Sequence, residues 1–333
     1  MSRSSSPQAL LATTLRAGNA RRRLQLALGG LWLVDAALQY QPHMFSQAFL
    51  TNTIEPAASG APWIVAHPVL LAAHLMSHHI ALYNGVFATI QVLIAVAIFY
   101  RPLLEAGLAL SVVWGVGVWW LAEGTGGIFD NASPLIGAPG AALLYVLIAL
   151  FAWPRRSGGT VAGLSVAERG ALGSKCPKVI WAILWIGLAL LELERANRAP
   201  SAVHGAILAM ESGEPSWLKA FDGALAVPAA NHGLEISIVL ASLFLVTALA
   251  VFGHRTAKLS VVLGVSLGAV IWLVENLGGI PTGTATDVNT GLPLMLLAAC
   301  FWPSPQDPLT SVAPERASAG NVHHRSEHYD RAA

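Results

Sequence analysis

Charge is what this chain has least of. Asp, Glu, Lys and Arg make up 11% of its 333 residues, against about 25% in soluble globular proteins, so the chain cannot cover itself with an evenly charged, water-facing surface. Cysteine is nearly absent as well. Cys176 and Cys300 alone, one in a basic connector and one inside an apolar run, support neither a disulfide framework nor a cysteine metal site. A net charge of +1, with no basic patch beyond short basic loops, argues against nucleic acid as a partner. No phosphate-cradling glycine loop, H-E-x-x-H helix or nucleophile elbow occurs, which disfavours soluble kinase, protease and hydrolase chemistry and leans away from an enzyme.

What is present is apolar and repeated. Hydrophobic residues reach 55% and mean hydropathy is +0.59, the composition of a polytopic integral membrane protein. The motif Trp120-Leu121-Ala122-Glu123-Gly124-Thr125-Gly126-Gly127 returns as Trp272-Leu273-Val274-Glu275-Asn276-Leu277-Gly278-Gly279, at an offset of 275 − 123 = 152 residues. Leu31-Trp32 likewise answers Leu184-Trp185, and Phe151-Ala152-Trp153-Pro154 answers Cys300-Phe301-Trp302-Pro303. The chain therefore reads as a tandem duplication. Apolar runs at Leu24–Tyr40, Ile80–Tyr100, Leu103–Ala122 and Leu135–Trp153 are matched by Val179–Leu193, Gly233–Phe252, Leu259–Val274 and Leu292–Trp302. A span needs about 20 apolar residues, so these predict an all-α protein of eight transmembrane helices in two parallel four-helix repeats. The corresponding division is a tail at 1–23, a first repeat at 24–154, a linker at 155–178, a second repeat at 179–303 and a tail of disordered composition at 304–333.

The positive charges orient this arrangement. Of the 19 Lys and Arg residues, all but Arg195, Arg198 and Lys219 fall in the tails, the linker and the loops at Arg101 and Arg255–Lys258. Cytoplasmic loops carry the excess of positive charge, so both termini are expected in the cytoplasm of a multi-pass plasma-membrane protein. The loops after the first, third, fifth and seventh helices then face outward. Two of these are long and too apolar to be freely solvated, and short helices lying on the outer leaflet are expected there.

Most of the unusual side chains lie on that outer face. Glu123 and Glu275 end the third and seventh helices just before a diglycine, a place unfavourable to the helix dipole that calls for a compensating partner. Paired glycine-broken segments at equivalent places in two halves point to a binding site in repeat transporters, which makes these two carboxylates candidate solute- or ion-binding groups. The competing reading makes each a structural helix end. Asp35, inside the first helix with Gly187 opposite it in the second copy, and Glu235, at the start of the sixth, are intramembrane carboxylates and so further candidates. His67, His74 and His78 share one heading if Pro68–His79 is helical, and neutral imidazoles so spaced can hold copper or haem iron. Histidines that merely reach toward headgroups are the plainer explanation.

Each four-helix unit resembles the DoxX-like membrane family: a first helix opening on a long, partly amphipathic outer loop, a second helix beginning Gly233-Leu234-Glu235, and two further helices. The likeness implies an accessory subunit of a membrane redox or envelope system, working beside a redox partner protein, with Glu235 as the one residue carried across. Two other functions fit the same residues. One is a transporter or channel for a small solute or metal ion, with the lipid bilayer as its other contact. The second is a haem- or copper-binding membrane oxidoreductase.

Overall fold

The computed structural model describes residues 7–154, 164–211 and 213–303. Among them there is no β-strand, and helices appear where apolar runs are longest. In the first half these are α1 (Pro7–Leu38), α2 (Trp63–Ser77), α3 (Ile80–Phe99), α4 (Leu104–Leu121) and α5 (Ala141–Ala152). The second half supplies α6 (Cys176–Glu192), α7 (Ala202–Ala209), α8 (Ser216–Ala229), α9 (Gly233–Ala250), α10 (Ala257–Val274) and α11 (Gly291–Ala299). Four segments are long and apolar enough to cross a membrane: Ile80–Phe99, Arg101–Leu121, Gly233–Ala250 and Ala257–Val274.

Two element boundaries differ from the sequence expectation. Helix α1 begins at Pro7, well inside the expected tail, where a proline at the first helical position leads into the helix-forming Ala9, Leu10, Leu11 and Ala12. Helix α5 starts at Ala141 rather than near Leu135, because Gly137 and Gly140 hold left-handed backbone between a single turn at Pro134–Ile136 and the helix proper. The C-terminal tail, with His323, His324 and His328, lies outside the described residues.

The packing order is the same in both halves. Helix α1 lies along α3 as α6 lies along α9; α3 packs on α4 as α9 packs on α10; α4 packs on α5 as α10 packs on α11. Small residues let the helix backbones approach closely. Gly115 of α4 sits against Val146 and the Ala142 carbonyl of α5, and Gly268 of α10 sits against Met295 and the Gly291 carbonyl of α11. Where α3 turns into α4, Gly107 faces the backbone of Ala97 and Ile98 with no room for a methyl group.

The halves meet along α5 and α11, with α1 touching both. Phe301 bridges the seam: its ring packs edge-on to Phe151 at 5.2 Å and tilts against Trp181 at 4.7 Å. At the arginine-bearing end, side chains close the helix termini. Arg22 donates to the Ile98 and Phe99 carbonyls at 2.8 and 2.6 Å, a cation at the C-terminus of α3 where the helix dipole favours it. Gln25 donates to the Ala152 carbonyl at 2.9 Å. The described part of the linker folds back on the bundle, where Ala167 donates its N–H to the Cys300 carbonyl and Glu168 pairs with Lys178 at 2.8 Å.

At the opposite end the halves exchange contacts. Gln39 and Gln41, just beyond α1, donate to the Thr286 and Ala285 carbonyls of the second half at 3.2 and 3.1 Å. Glu192, at the end of α6, accepts from Ser133 of the first half at 3.3 Å, and Asn197 donates to the Asn131 carbonyl at 3.1 Å. Each half thus seats its third loop on the first helix of the other.

Candidate functional site

The duplicated motif is a left-handed turn. Gly124, Thr125, Gly126 and Gly127 all have φ between 53° and 66°, and Asn276, Leu277, Gly278 and Gly279 have φ between 55° and 75°. L-residues avoid this region at a cost of roughly 1–2 kcal/mol each, which Thr125, Asn276 and Leu277 incur. Glycine is required at Gly126 and Gly278 for a second reason: an added Cβ would run into the Pro139 and Val288 carbonyls. The turn throws the chain back across the top of its own helix pair.

That reversal gives each glutamate its partner. Glu123 Oε1 accepts the N–H of Ala142 at 3.0 Å, and Glu275 Oε2 accepts the N–H of Gly291 at 2.9 Å, with the Thr290 hydroxyl on Oε1. A carboxylate that is badly placed at the end of one helix is well placed at the start of the next, where unpaired N–H groups and the dipole favour it. Burial pushes both carboxyls up to about 8; the Coulombic field of Asp287 adds to the rise, while the backbone hydrogen bonds oppose it.

Beyond capping, the two glutamates differ. Glu275 is wholly buried, whereas Glu123 lines a cavity of about 470 Å³ enclosed by α1, α2, α3, α4 and α5. Its walls are mostly apolar or aromatic, with Tyr83, Phe87 and Gln91 on one face of α3, Trp114 on α4, Trp32 on α1 and Leu75 and Met76 on α2. Asp35, Gln39 and Tyr145 face it from α1 and α5, and Thr286 and Asp287 reach in from the second half.

Polar atoms in this wall stand without partners. Asp35 Oδ1, Gln39 Oε1, Gln91 Oε1, Trp114 Nε1 and the Tyr145 hydroxyl are buried and make no hydrogen bond. The Asp35 carboxyl lies within electrostatic reach of Tyr145, Asp287 and the Val288 backbone, but no bond of normal geometry closes on Oδ1. A buried unpaired polar group costs about 1–3 kcal/mol, so several of them around one space mark a place shaped for something other than packing. Asp287 is held by its own turn, accepting from Thr286 at 2.8 Å and from the Asn289 N–H at 2.7 Å, and burial raises its carboxyl above the usual range.

At the matching positions of the second half, three of these polar groups are replaced by buried apolar side chains. Buried positions along α3 (Asn84, Ala88, Gln91, Ile94, Ala95, Ile98) recur along α9 with the same spacing as Ser237, Ala241, Phe244, Thr247, Ala248 and Val251. The same register pairs Trp32 with Trp185 and Asp35 with Leu188 on α1 and α6, and Tyr145 with Leu294 on α5 and α11. The residue matched to Asp35 is therefore Leu188, not Gly187, and the one matched to Gln91 is Phe244. Phe244 fills the space, its ring 5.6 Å from Trp185. Where the first half has three polar groups around an opening, the second has three buried apolar ones within one hydrophobic cluster.

Above the cavity lies a more polar vestibule of about 620 Å³ between the two left-handed turns, lined by Gly126 and Gly127, by Gly278 and Gly279, and by Asp130 and Asn289. Thr53, Ala57, Glu123, Ala141, Thr286 and Asp287 line both spaces and form the threshold between them.

The remaining sequence candidates lie elsewhere. Glu235 is exposed at the start of α9, 4.0 Å from His232. His67 stacks on Trp63 at 5.2 Å, while His74 and His78 meet each other edge-on at 5.1 Å. Among the described residues no three His, Cys, Asp or Glu side chains cluster to hold a metal ion. Asp287, Tyr145, Gln91, Gln39 and Trp114 escaped the sequence reading. A glutamine within the apolar run of α3 was the one available signal. A second buried acidic group, Glu214 with Asp222 in the segment between α6 and α9, has its Glu214 carboxyl raised to about 7 by burial and by Asp222, and Asn276 donates to it.

The chain matches no family model, no curated protein and no solved structure.

Proposed function

We propose that this is an eight-span integral membrane protein whose first half binds a small solute in the cavity beneath Glu123, with the vestibule as the route to it from outside the cell. In this reading α1, α3, α4 and α5 span the membrane in parallel with α6, α9, α10 and α11. The shorter helices α2, α7 and α8 lie on the outer leaflet, and both termini are cytoplasmic. The four apolar helices, the arginine distribution and the repeated packing order support it. The observation that carries the binding function is the asymmetry: one half keeps unpartnered polar atoms around an open space, and the other fills the same space with Phe244, Leu188 and Leu294. Largely pre-formed, mostly apolar pockets with a few convergent polar groups are what ligand sites look like.

Transport fits this arrangement better than the other two functions. The DoxX-like accessory reading keeps its helix order, but its single carried residue, Glu235, is exposed and outside the cavity. Haem or copper binding would need His67, His74 and His78 to converge; His74 and His78 meet each other, but His67 stacks on Trp63 instead.

Thiol labelling tests the route. In a Cys176→Ser background, with Cys300 buried, a small membrane-impermeant thiol reagent applied to intact cells is expected to modify Thr53→Cys at the threshold and, more slowly, Ala142→Cys within the cavity. Absence of labelling at both positions from outside, in protein that purifies folded, would overturn the proposed entry path.

A further inference from the structure

The cavity has a strongly one-sided chemistry. Three carboxyl groups face it, those of Asp35, Glu123 and Asp287, and no Lys, Arg or His is among the described residues that line it. Of the five unpartnered polar atoms in its wall, Gln39 Oε1 and Gln91 Oε1 are acceptors only, Asp35 Oδ1 belongs to a carboxyl group 2% exposed, the Tyr145 hydroxyl can accept or donate, and Trp114 Nε1 alone is a donor only, so acceptors predominate. A ligand that satisfies them has to donate. Around these acceptors stand aromatic faces, Trp32, Trp114, Tyr83 and Phe87, whose electron-rich surfaces attract cations. The remaining wall is aliphatic, with only a small polar share.

We propose that the cavity selects a small organic cation, an ammonium group carried on an aromatic or aliphatic body, with Asp35 as its principal counter-charge and Glu123 and Asp287 at the entrance. This rests on the reading of the cavity as a solute site and adds the class of solute. A bare metal ion does not suit the space: hard cations take six or more oxygens at 2.0–2.6 Å, and no such cluster of ligating side chains is present among the described residues. An anion would face three carboxyl groups and no compensating base. An amine with an apolar body matches both parts of the wall, donating N–H to Asp35, Gln39 and Gln91 while its body packs on Trp114, Tyr83 and Phe87. The second half carries the complementary evidence. Asp35 is matched there by Leu188 and Gln91 by the fully buried Phe244, so the acid and the amide that would receive the ligand are replaced together by apolar side chains.

Three probes of similar size and different charge decide the matter: phenethylammonium, phenethyl alcohol and phenylacetate, titrated calorimetrically into the full-length protein in detergent. The expected result is binding of the ammonium, with the alcohol and the carboxylate weaker by about 10-fold or more, the worth of one hydrogen bond to a charged group. Asp35→Asn, nearly isosteric, should weaken the ammonium by a similar factor and leave the alcohol unchanged. Gln91→Phe, which copies the second half, should remove binding of both. Thermal unfolding and circular dichroism of each variant confirm that it is folded. Equal binding of ammonium and alcohol, or an Asp35→Asn variant that binds the ammonium as the native protein does, would overturn cation selectivity while leaving a solute cavity. If no probe binds and Gln91→Phe behaves like the native protein in every measurement, the cavity reading falls with it.

Discussion

Glu123 and Glu275 show how one residue can read as chemistry in the sequence and serve as architecture in the fold. Both lie at a helix C-terminus, where a negative charge is disfavoured, and the sequence holds no basic residue nearby to offset it. The compensation comes from the next helix, whose first N–H groups they accept. Replacing Glu275 with Ala leaves the N–H of Gly291 and the Thr290 hydroxyl unpaired in a buried place and should cost about 1–3 kcal/mol, read as a lowered thermal midpoint in detergent. Glu275→Gln should cost less and leave solute binding intact, since this side chain does not reach the cavity; Glu123→Gln should alter binding.

The pH response carries a definite sign. Both carboxyls have an ordinary value of 4.5 and are pushed up to about 8 on folding, so the folded state holds protons that the unfolded state has released. Their stabilising contribution is complete below about 4.5 and disappears as pH rises through about 8. The thermal midpoint should therefore fall across that window, and the Glu123→Gln, Glu275→Gln double variant should show a flatter profile. Asp35 was legible as a candidate because a carboxylate inside a long apolar run is exceptional. Asp287 was not, because it stands far along the chain in a turn, and only the exchange of loops between halves brings it to the first-half cavity.

At the scale of elements, the long apolar runs mark α3, α4, α9 and α10 almost to the residue, and these are the segments long and apolar enough to cross a membrane. The left-handed turns were legible as a repeated diglycine but not as a conformation. Their φ values follow from the closeness of the Pro139 and Val288 carbonyls, a contact between residues distant in sequence. Gly278→Ala brings strain and collision together and should cost at least about 1–3 kcal/mol, with a loss of folded yield that Gly187→Ala, on an open face of α6, does not share. The late start of α5 escaped for a similar reason: Gly137 and Gly140 read as ordinary interruptions of an apolar run until their backbone angles are known.

For the whole molecule, the proposed orientation has a direct check in Cys176 and one introduced cysteine. Cys176 is exposed at the first turn of α6, and Phe129 is exposed at the vestibule. An impermeant thiol reagent should modify Phe129→Cys in intact cells but reach Cys176 only after the membrane is opened; the reverse pattern would invert the protein. The duplication itself was plain from sequence, whereas the divergence of its copies was not. Leu188 for Asp35 and Leu294 for Tyr145 look like routine apolar choices until the buried positions are brought into register.

The crossed seating of the third loops makes the two copies interdependent. Asp287 and Thr286 belong to the second copy yet wall the opening in the first, and Gln39 and Gln41 hold them there. A chain cut within the linker and expressed as two fragments should regain its ligand only when both are produced together. The first fragment alone, although it carries Asp35, Gln91 and Tyr145, would be a receptor missing one of its sides. The second copy, apolar at the matching positions, lends its loop to the site of its twin.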